Sequence, residues 1–252
     1  DFAELIAFDM GGTTAKVGVV RGGQPRLCNE FEADRFVDGV DRGGYPIKSP
    51  VVDIIEIGAG GGSISRVDAA GVIKVGPRSA GAEPGPACYG RGGQQATVTD
   101  AHVCLGNITA QGFGSEDLHI DAAAAHEAVR RNIAAPLGWS VAGAAWGILT
   151  LATANMAEVV RLATLRRGLD PREFALLAFG GAGPLHAAEM AREVGVREVI
   201  IPPYPGLFSA IGTLLGDVRH DLVQTYLRLT ADLDSAPLGE AYAELMARAE
   251  IL

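Results

Sequence analysis

Glycine supplies 34 of the 252 residues, about twice its usual share of roughly 7%, and it is clustered at the ends of apolar runs. Without a Cβ, a residue can turn where others clash and can let another group approach the backbone closely. Three clusters matter most. Gly11 and Gly12 follow LIAFD (residues 5–9), five residues at 58–62 include four glycines after VDIIEI (52–57), and Gly180, Gly181 and Gly183 follow FALLAF (174–179). Because the clusters interrupt apolar runs instead of forming a repetitive tract, collagen and flexible Gly/Ser linkers are excluded.

The runs between the clusters give a coarse map. Residues 5–9 and 15–20 read as strand, glycine turn, strand, with residues 26–32 as a possible continuation. Residues 63–75 suggest a hairpin around Ala70 and Gly71. Residues 76–93 hold too many glycines and prolines for regular structure, and a loop that long in a compact domain is more often functional than decorative. Asp121 caps a helix that Pro136 and Gly138 stop, and a longer helix is expected over 142–167, ending at Gly168. Strand 174–179, helix 184–194 and strand 198–201 form a βαβ unit. Helices at 207–215 and 238–251 flank a strand candidate at 222–229.

Charge and composition narrow the function. The 30 acidic against 21 basic residues give a net charge of −9, which offers no basic footprint for nucleic acid. A hydrophobic share of 48% against 20% charged is that of a folding chain, not a disordered one. Cys28, Cys88 and Cys104 are odd in number and widely spaced, so they fit neither a disulfide framework nor a Cys-x-x-Cys metal motif. A cytoplasmic location is the expectation, since residues 1–10 also lack a basic leader. The apolar stretch 141–157 lies at the lower edge of a membrane span and reads as a buried core helix, so no membrane role is expected.

The segment AFDMGGTTAK (7–16) carries the most specific chemistry. Gly11 and Gly12 let amide N–H groups reach a phosphate, and the hydroxyls of Thr13 and Thr14 add donors at the same rim. Asp9 cannot touch phosphate directly, because two anions repel; holding the waters of Mg²⁺ or orienting an attacking group suits it. Lys16 is placed to neutralise charge as phosphate leaves. In AFGGAGPLHA (178–187), Gly180, Gly181 and Gly183 join a strand to a helix whose N-terminus directs amides and partial positive charge at a ligand. His186, just inside that helix, is either a site residue or a packed histidine.

Other candidates stay open between site and scaffold. Gly60, Gly61 and Ser63 form a substrate contact or a bulged turn. In the following loop Arg78, Ser79, Glu83, Cys88, Tyr89 and Arg91 are candidate substrate contacts, while Cys88 has no identifiable base to make it a nucleophile. Thr97 or Thr99 caps a helix, and Asp100 is a candidate active-site or metal carboxylate. No zincin, α/β-hydrolase or Walker-type P-loop motif is present.

FDMGGTTAKVGVV, IGAGGGSISRVDAAGVIKVGPRSAGAEPGPACYGRGG, TVTDAHVCLG, AFGGAGPLHAAEMAREVGV and VIIPPYPGLFSAIGTLLGDVRHD together resemble the hydantoinase A/oxoprolinase family. It includes ATP-dependent N-methylhydantoinases, 5-oxoprolinases and β subunits of acetone carboxylase-type enzymes. The resemblance covers nearly the whole chain. It implies an α/β fold, an actin/hexokinase-like (ribonuclease H-like) ATPase half with a mixed sheet and flanking helices, with a glycine/proline-rich insertion at about 58–96. Residues 9–14 would match a phosphate loop, and Gly180, Gly181 and Gly183 the adenosine-side loop. Family members normally carry a separate amino-terminal half with its own Asp-Gly-Gly-Thr loop, so the expectation is a central segment.

The resemblance implies ATP and Mg²⁺ as cofactors, with Asp9 as metal-holding residue and Gly60, Gly61, Ser63, Arg78, Asp100 and His186 on the substrate side. The implied activity is hydrolysis of a cyclic amide, a hydantoin or 5-oxoproline, through phosphorylation of the amide by ATP. A hydantoinase B-type second subunit or domain is the implied partner. Two alternatives remain: the β subunit of an ATP-dependent carboxylase, and a truncated nucleotide-binding module without catalysis.

Overall fold

The computed structural model describes residues 2–33, 36–37, 40–41, 43–109, 119–218, 220–227, 229 and 235–251. The chain divides into two compact units, Asp1–Ile211 and Gly212–Leu252.

In the larger unit, strands β1 (Leu5–Met10) and β2 (Ala15–Arg21) form the expected hairpin, followed by β3 (Ile54–Ile57). Their residues alternate between faces, as period-two strands must. Ile6, Phe8 and Met10 with Ala15, Val17 and Val19 are buried on one face, and Asp9, Lys16 and Glu56 line the other in register. Residues 26–32 do not extend this sheet. The segment leaves it as a ribbon in which Leu27–Cys28 pairs with Val51–Val52 and Phe31–Ala33 with Tyr45–Ile47.

A second hairpin joins β4 (Ser63–Val67) to β5 (Ile73–Ser79). Asp68 Oδ1 pins its turn by accepting from the amides of Ala70 and Val72 at 2.9 and 3.0 Å, an Asx-type closure. The strand runs to Ser79, so the first residues of the glycine/proline segment are regular structure after all. A 3₁₀ turn at Ala87–Tyr89 adds a little more.

Helix α1 (Val98–Cys104) opens with a full capping box, Thr97 and Asp100 each receiving the other's backbone N–H. Helix α2 (Ala122–Val129) is capped by Asp121 as expected. It then widens into a π turn at Arg130–Ala134 before Ala135–Leu137 and the left-handed Gly138. Pro136, which has no N–H to donate, sits where this irregular turn ends.

Helix α3 (Val141–Ala163) lays Ile148, Ala152, Met156 and Val160 into the core. The helical run Val141–Arg167 is long and apolar enough to cross a membrane by length and composition, and more than half of its apolar 18-residue window is buried in the fold. It ends four residues earlier than expected. Thr164 Oγ1 donates to the Val160 carbonyl at 2.7 Å, and a 3₁₀ turn, Leu165–Arg167, carries the chain to the left-handed Gly168.

The βαβ unit closes the sheet. Strand β6 (Ala175–Phe179), helix α4 (Gly183–Val194) and strand β7 (Glu198–Ile200) give parallel pairs β1–β6 and β6–β7. The sheet order is β3-β2-β1-β6-β7, with Gln24–Pro25 beside β2. An antiparallel half and a parallel half meeting at β1, with flanking helices, make the mixed sheet of an actin/hexokinase-like half.

Helix α5 (Phe208–Leu215) follows a 3₁₀ turn, Pro205–Leu207. In the smaller unit, helix α6 (Ser235–Ala249) begins three residues before the expected 238. The strand candidate at 222–229 has no ladder in residues 222–227, since the described residues of that unit provide no partner strand.

Candidate functional site

The three glycine clusters meet at the carboxyl end of β1. Gly11 and Gly12 accept from the amides of Gly61 and Gly62 at 3.0 and 2.7 Å, and the Met10 carbonyl accepts from Ala182 N at 2.8 Å. Sequence separations of about 50 and 170 residues are thereby closed by backbone alone. A Cβ on Gly60 would lie 2.5 Å from Gly12 C and Thr13 N, and one on Gly61 2.8 Å from Thr99 Oγ1. Gly180 has φ 84°, and a Cβ there would collide with Asp9 Oδ1 and the Met10 carbonyl. Gly60 and Gly180 are required for backbone to pack on backbone, and Gly61 for the Thr99 hydroxyl to pack on it.

Gly11, Gly12 and Gly181 are different. None has a left-handed φ, and a Cβ on any of them would meet nothing within 4 Å. Open space therefore borders the phosphate-loop candidate and the adenosine-side candidate where the two come together around Met10.

Asp9, Lys16 and Glu56 stand side by side across β1, β2 and β3 on the face away from the core. Lys16 Nζ donates to Thr14 Oγ1 at 2.8 Å and sits 3.4 Å from Glu56 Oε1. Asp9 Oδ2 accepts from Ser209 Oγ at 3.3 Å, and Phe208 packs edge-on to Phe179, with ring centroids 5.1 Å apart. Thr13 Oγ1 is 3.4 Å from Ser79 Oγ. Behind the 58–62 cluster lies a cavity of about 230 Å³ lined by Met10, Gly58, Gly60, Ser63, Pro77 and Asn155 among others. It is mostly apolar, with the Asn155 amide and the Ser63 hydroxyl as its polar side chains.

The hydantoinase/oxoprolinase family model matches residues 1–222. The chain belongs to this family. The caprolactamase subunit alpha of Pseudomonas jessenii is 39% identical over 246 residues, covering 97% of this chain and 34% of that protein. The crystal structure of the ATP-dependent caprolactamase from the same organism superposes with a TM-score of 0.80 at 38% identity, over 99% of this chain and 35% of that one. The nucleotide-free structure of acetone carboxylase gives a TM-score of 0.74 at 30% identity, over 84% and 29%. The chain thus spans about a third of the length of these relatives.

Within this hydantoinase/oxoprolinase fold the expected site residues separate into two groups. Asp9, Gly11, Gly12, Thr13, Thr14, Lys16, Gly60, Gly61, Gly180, Gly181 and Gly183 gather around the end of β1. Ser63 is buried beside them, its Oγ accepting from Gly60 N at 2.9 Å, and Arg78 is exposed on β5.

Asp100 and His186 lie in the interior. The Asp100 carboxylate accepts from the amides of Ala87, Cys88 and Thr97 and from Thr97 Oγ1, at 2.8–3.2 Å. Its two oxygens are thus occupied in fastening the glycine/proline loop to α1. Burial and this carboxylate push the Cys88 thiol far above its usual range, so it stays protonated and is no nucleophile.

His186 meets His102, Nε2 to Nε2, at 3.2 Å; beyond them stand Thr153 Oγ1, 3.2 Å from His186 Nδ1, and Asn107 Nδ2, 3.1 Å from His102 Nδ1. With the amide of Asn107 donating, one chain of donors satisfies every atom: His102 donates through Nε2, and His186 through Nδ1. A second proton would set two N–H groups against each other. Burial holds His102 down to about 4; burial and the neighbouring ring hold His186 down to about 3.

Sequence reasoning missed Ser209 and His102. Ser209, in the first turn of a helix after Pro205 and Gly206, had a signal available in that punctuation. The His102 pairing depends on α1 and α4 touching, which no local pattern reveals.

Proposed function

We propose that this chain forms the nucleotide-binding part of an enzyme that opens a cyclic amide at the expense of ATP. The observation that carries the reading is the open space at Gly11, Gly12 and Gly181. Neither backbone conformation nor packing requires glycine at these three positions, so the room they leave suits phosphate oxygens approaching amide groups. The N-terminal end of the α4 dipole adds positive character beside Gly183.

The residues take the following roles. Thr13 and Thr14 donate hydroxyls to phosphate, and Gly180, Gly181 and Gly183 line the nucleoside side. Lys16, held by Thr14 and Glu56, offsets charge on the transferring group. Asp9, with Ser209 fixing one oxygen, fits the water shell of Mg²⁺, which when bound would neutralise phosphate charge. Phosphorylating the amide oxygen turns a poor leaving group into a good one, after which water opens the ring. The cavity behind the 58–62 cluster, with Gly60, Ser63 and the Asn155 amide, suits an uncharged ring, and Arg78 stands exposed on the neighbouring strand. The subunit naming of the caprolactamase relative supports a partner subunit, and a hydantoinase B-type partner would supply further substrate contacts.

The likeness to acetone carboxylase supports a second reading, in which the same loops phosphorylate a ketone enolate or bicarbonate. Incubating the protein with Mg²⁺, ATP and a panel of lactams, hydantoin and 5-oxoproline, or with a ketone and labelled bicarbonate, separates the two. Phosphate release matched by ring-opened product supports the amidohydrolase. Release matched by fixed label supports the carboxylase, and release dependent on neither substrate class defeats both.

A further inference from the structure

Strand β7 is followed by Ile201-Pro202-Pro203-Tyr204-Pro205-Gly206. Two prolines cannot donate to a ladder, so the chain must leave the sheet. It does so through Tyr204, at φ 53° and ψ 55°, the only non-glycine residue with positive φ among the described residues. For an L residue that region costs about 1–2 kcal/mol, and the following proline restricts the position further. Among the described residues the fourteen other positive-φ positions carry glycine; this one keeps an aromatic side chain against its backbone preference.

The core gives no reason for it, because Tyr204 is 74% exposed. Its position gives one. The carbonyl of Pro205, the next residue, accepts from Gly180 N at 2.9 Å, and the Tyr204 carbonyl accepts from Leu207 N at 2.8 Å. Four and five residues on, Phe208 packs against Phe179 and Ser209 donates to Asp9. The tyrosine therefore stands on a turn bonded directly to the adenosine-side loop, with its ring free on the solvent side. Strain kept at a fixed, exposed position marks a functional device. An aromatic ring held beside a phosphate-binding junction is suited to stack on a planar base.

We infer that Tyr204 is a base-stacking residue that gives the site its preference for a purine nucleoside triphosphate over a bare polyphosphate. The inference rests on the nucleotide reading above. Calorimetric titration with Mg²⁺-ATP and with Mg²⁺-tripolyphosphate, on wild type, Tyr204→Phe and Tyr204→Asn, tests it. Asparagine enters the left-handed region readily, so Tyr204→Asn keeps the turn and loses only the ring. Stacking requires that wild type bind ATP more tightly than tripolyphosphate, that Tyr204→Phe bind ATP like wild type, and that Tyr204→Asn bind ATP about tenfold more weakly with its tripolyphosphate affinity unchanged. Equal ATP binding by wild type and Tyr204→Asn overturns the stacking role alone, as does an equal loss for both ligands, which would make the tyrosine a loop support. Absence of ATP binding by wild type overturns the nucleotide reading and the stacking role together.

Discussion

Gly60 and Gly181 both belong to clusters at the carboxyl end of β1, yet they are glycine for opposite reasons. Around Gly60 the chain is crowded: Gly12 and Thr13 backbone atoms stand where a Cβ would go, and Gly61 and Gly62 bond to the carbonyls of Gly11 and Gly12. Around Gly181, as around Gly11 and Gly12, the space is empty. Crowded glycines build the floor by letting backbones touch, and open glycines leave room above it. The difference gives the first group a structural role and, on the proposed reading, makes the second the ligand space.

Gly60→Val breaks the crowded side most severely. The Gly12–Thr13 peptide that the new side chain would strike is backbone and cannot yield as a flexible side chain would, and a loss of more than about 4 kcal/mol is expected, read by chemical denaturation followed by circular dichroism. Asp100→Ala is next, at about 4 kcal/mol, because three buried amides lose their acceptor and α1 loses its capping box; native-state hydrogen exchange should show the amides of Ala87, Cys88 and Thr97 opening first.

The buried imidazoles contrast with the solvent-facing charges through pH. Both folded values lie below the ordinary 6.5, so the unfolded chain takes up protons first as pH falls. Stability should be flat above pH 6.5 and fall from there towards pH 4 and 3, by about 3 kcal/mol for His102 alone. Urea midpoints at pH 7, 5.5 and 4.5 follow it, and His102→Gln should flatten the slope. Glu56→Gln, at a half-exposed pair with Lys16, should shift the midpoint by no more than about 0.5 kcal/mol.

Local chemistry made much of this fold legible. Alternation in residues 5–10 and 15–20 fixed a strand pair with one buried face, and Asp121 and Gly138 marked helix ends at the positions found, while Gly168 ends only the 3₁₀ turn that follows α3. Legibility failed where distant segments decide. Residues 222–229 carry a strand-like pattern, but a strand needs a neighbour. The early end of α3 falls at Thr164, whose hydroxyl and amide share the Val160 carbonyl, a detail the apolar pattern does not carry. Asp100 stayed open between site and scaffold because nothing local reveals that the amides of Ala87 and Cys88 return to it. The three glycine clusters could be named from sequence; which glycines are crowded and which are open could not.

The most direct test is calorimetric titration of Mg²⁺-ATP into wild type and Gly181→Val, with unfolding midpoints measured on the same samples. The account predicts saturable binding by wild type, binding at least tenfold weaker in the variant, and midpoints equal within about 0.5 kcal/mol, the usual range for a surface change. ATP binding that Gly181→Val leaves untouched, or a wild type that binds no ATP, would contradict it.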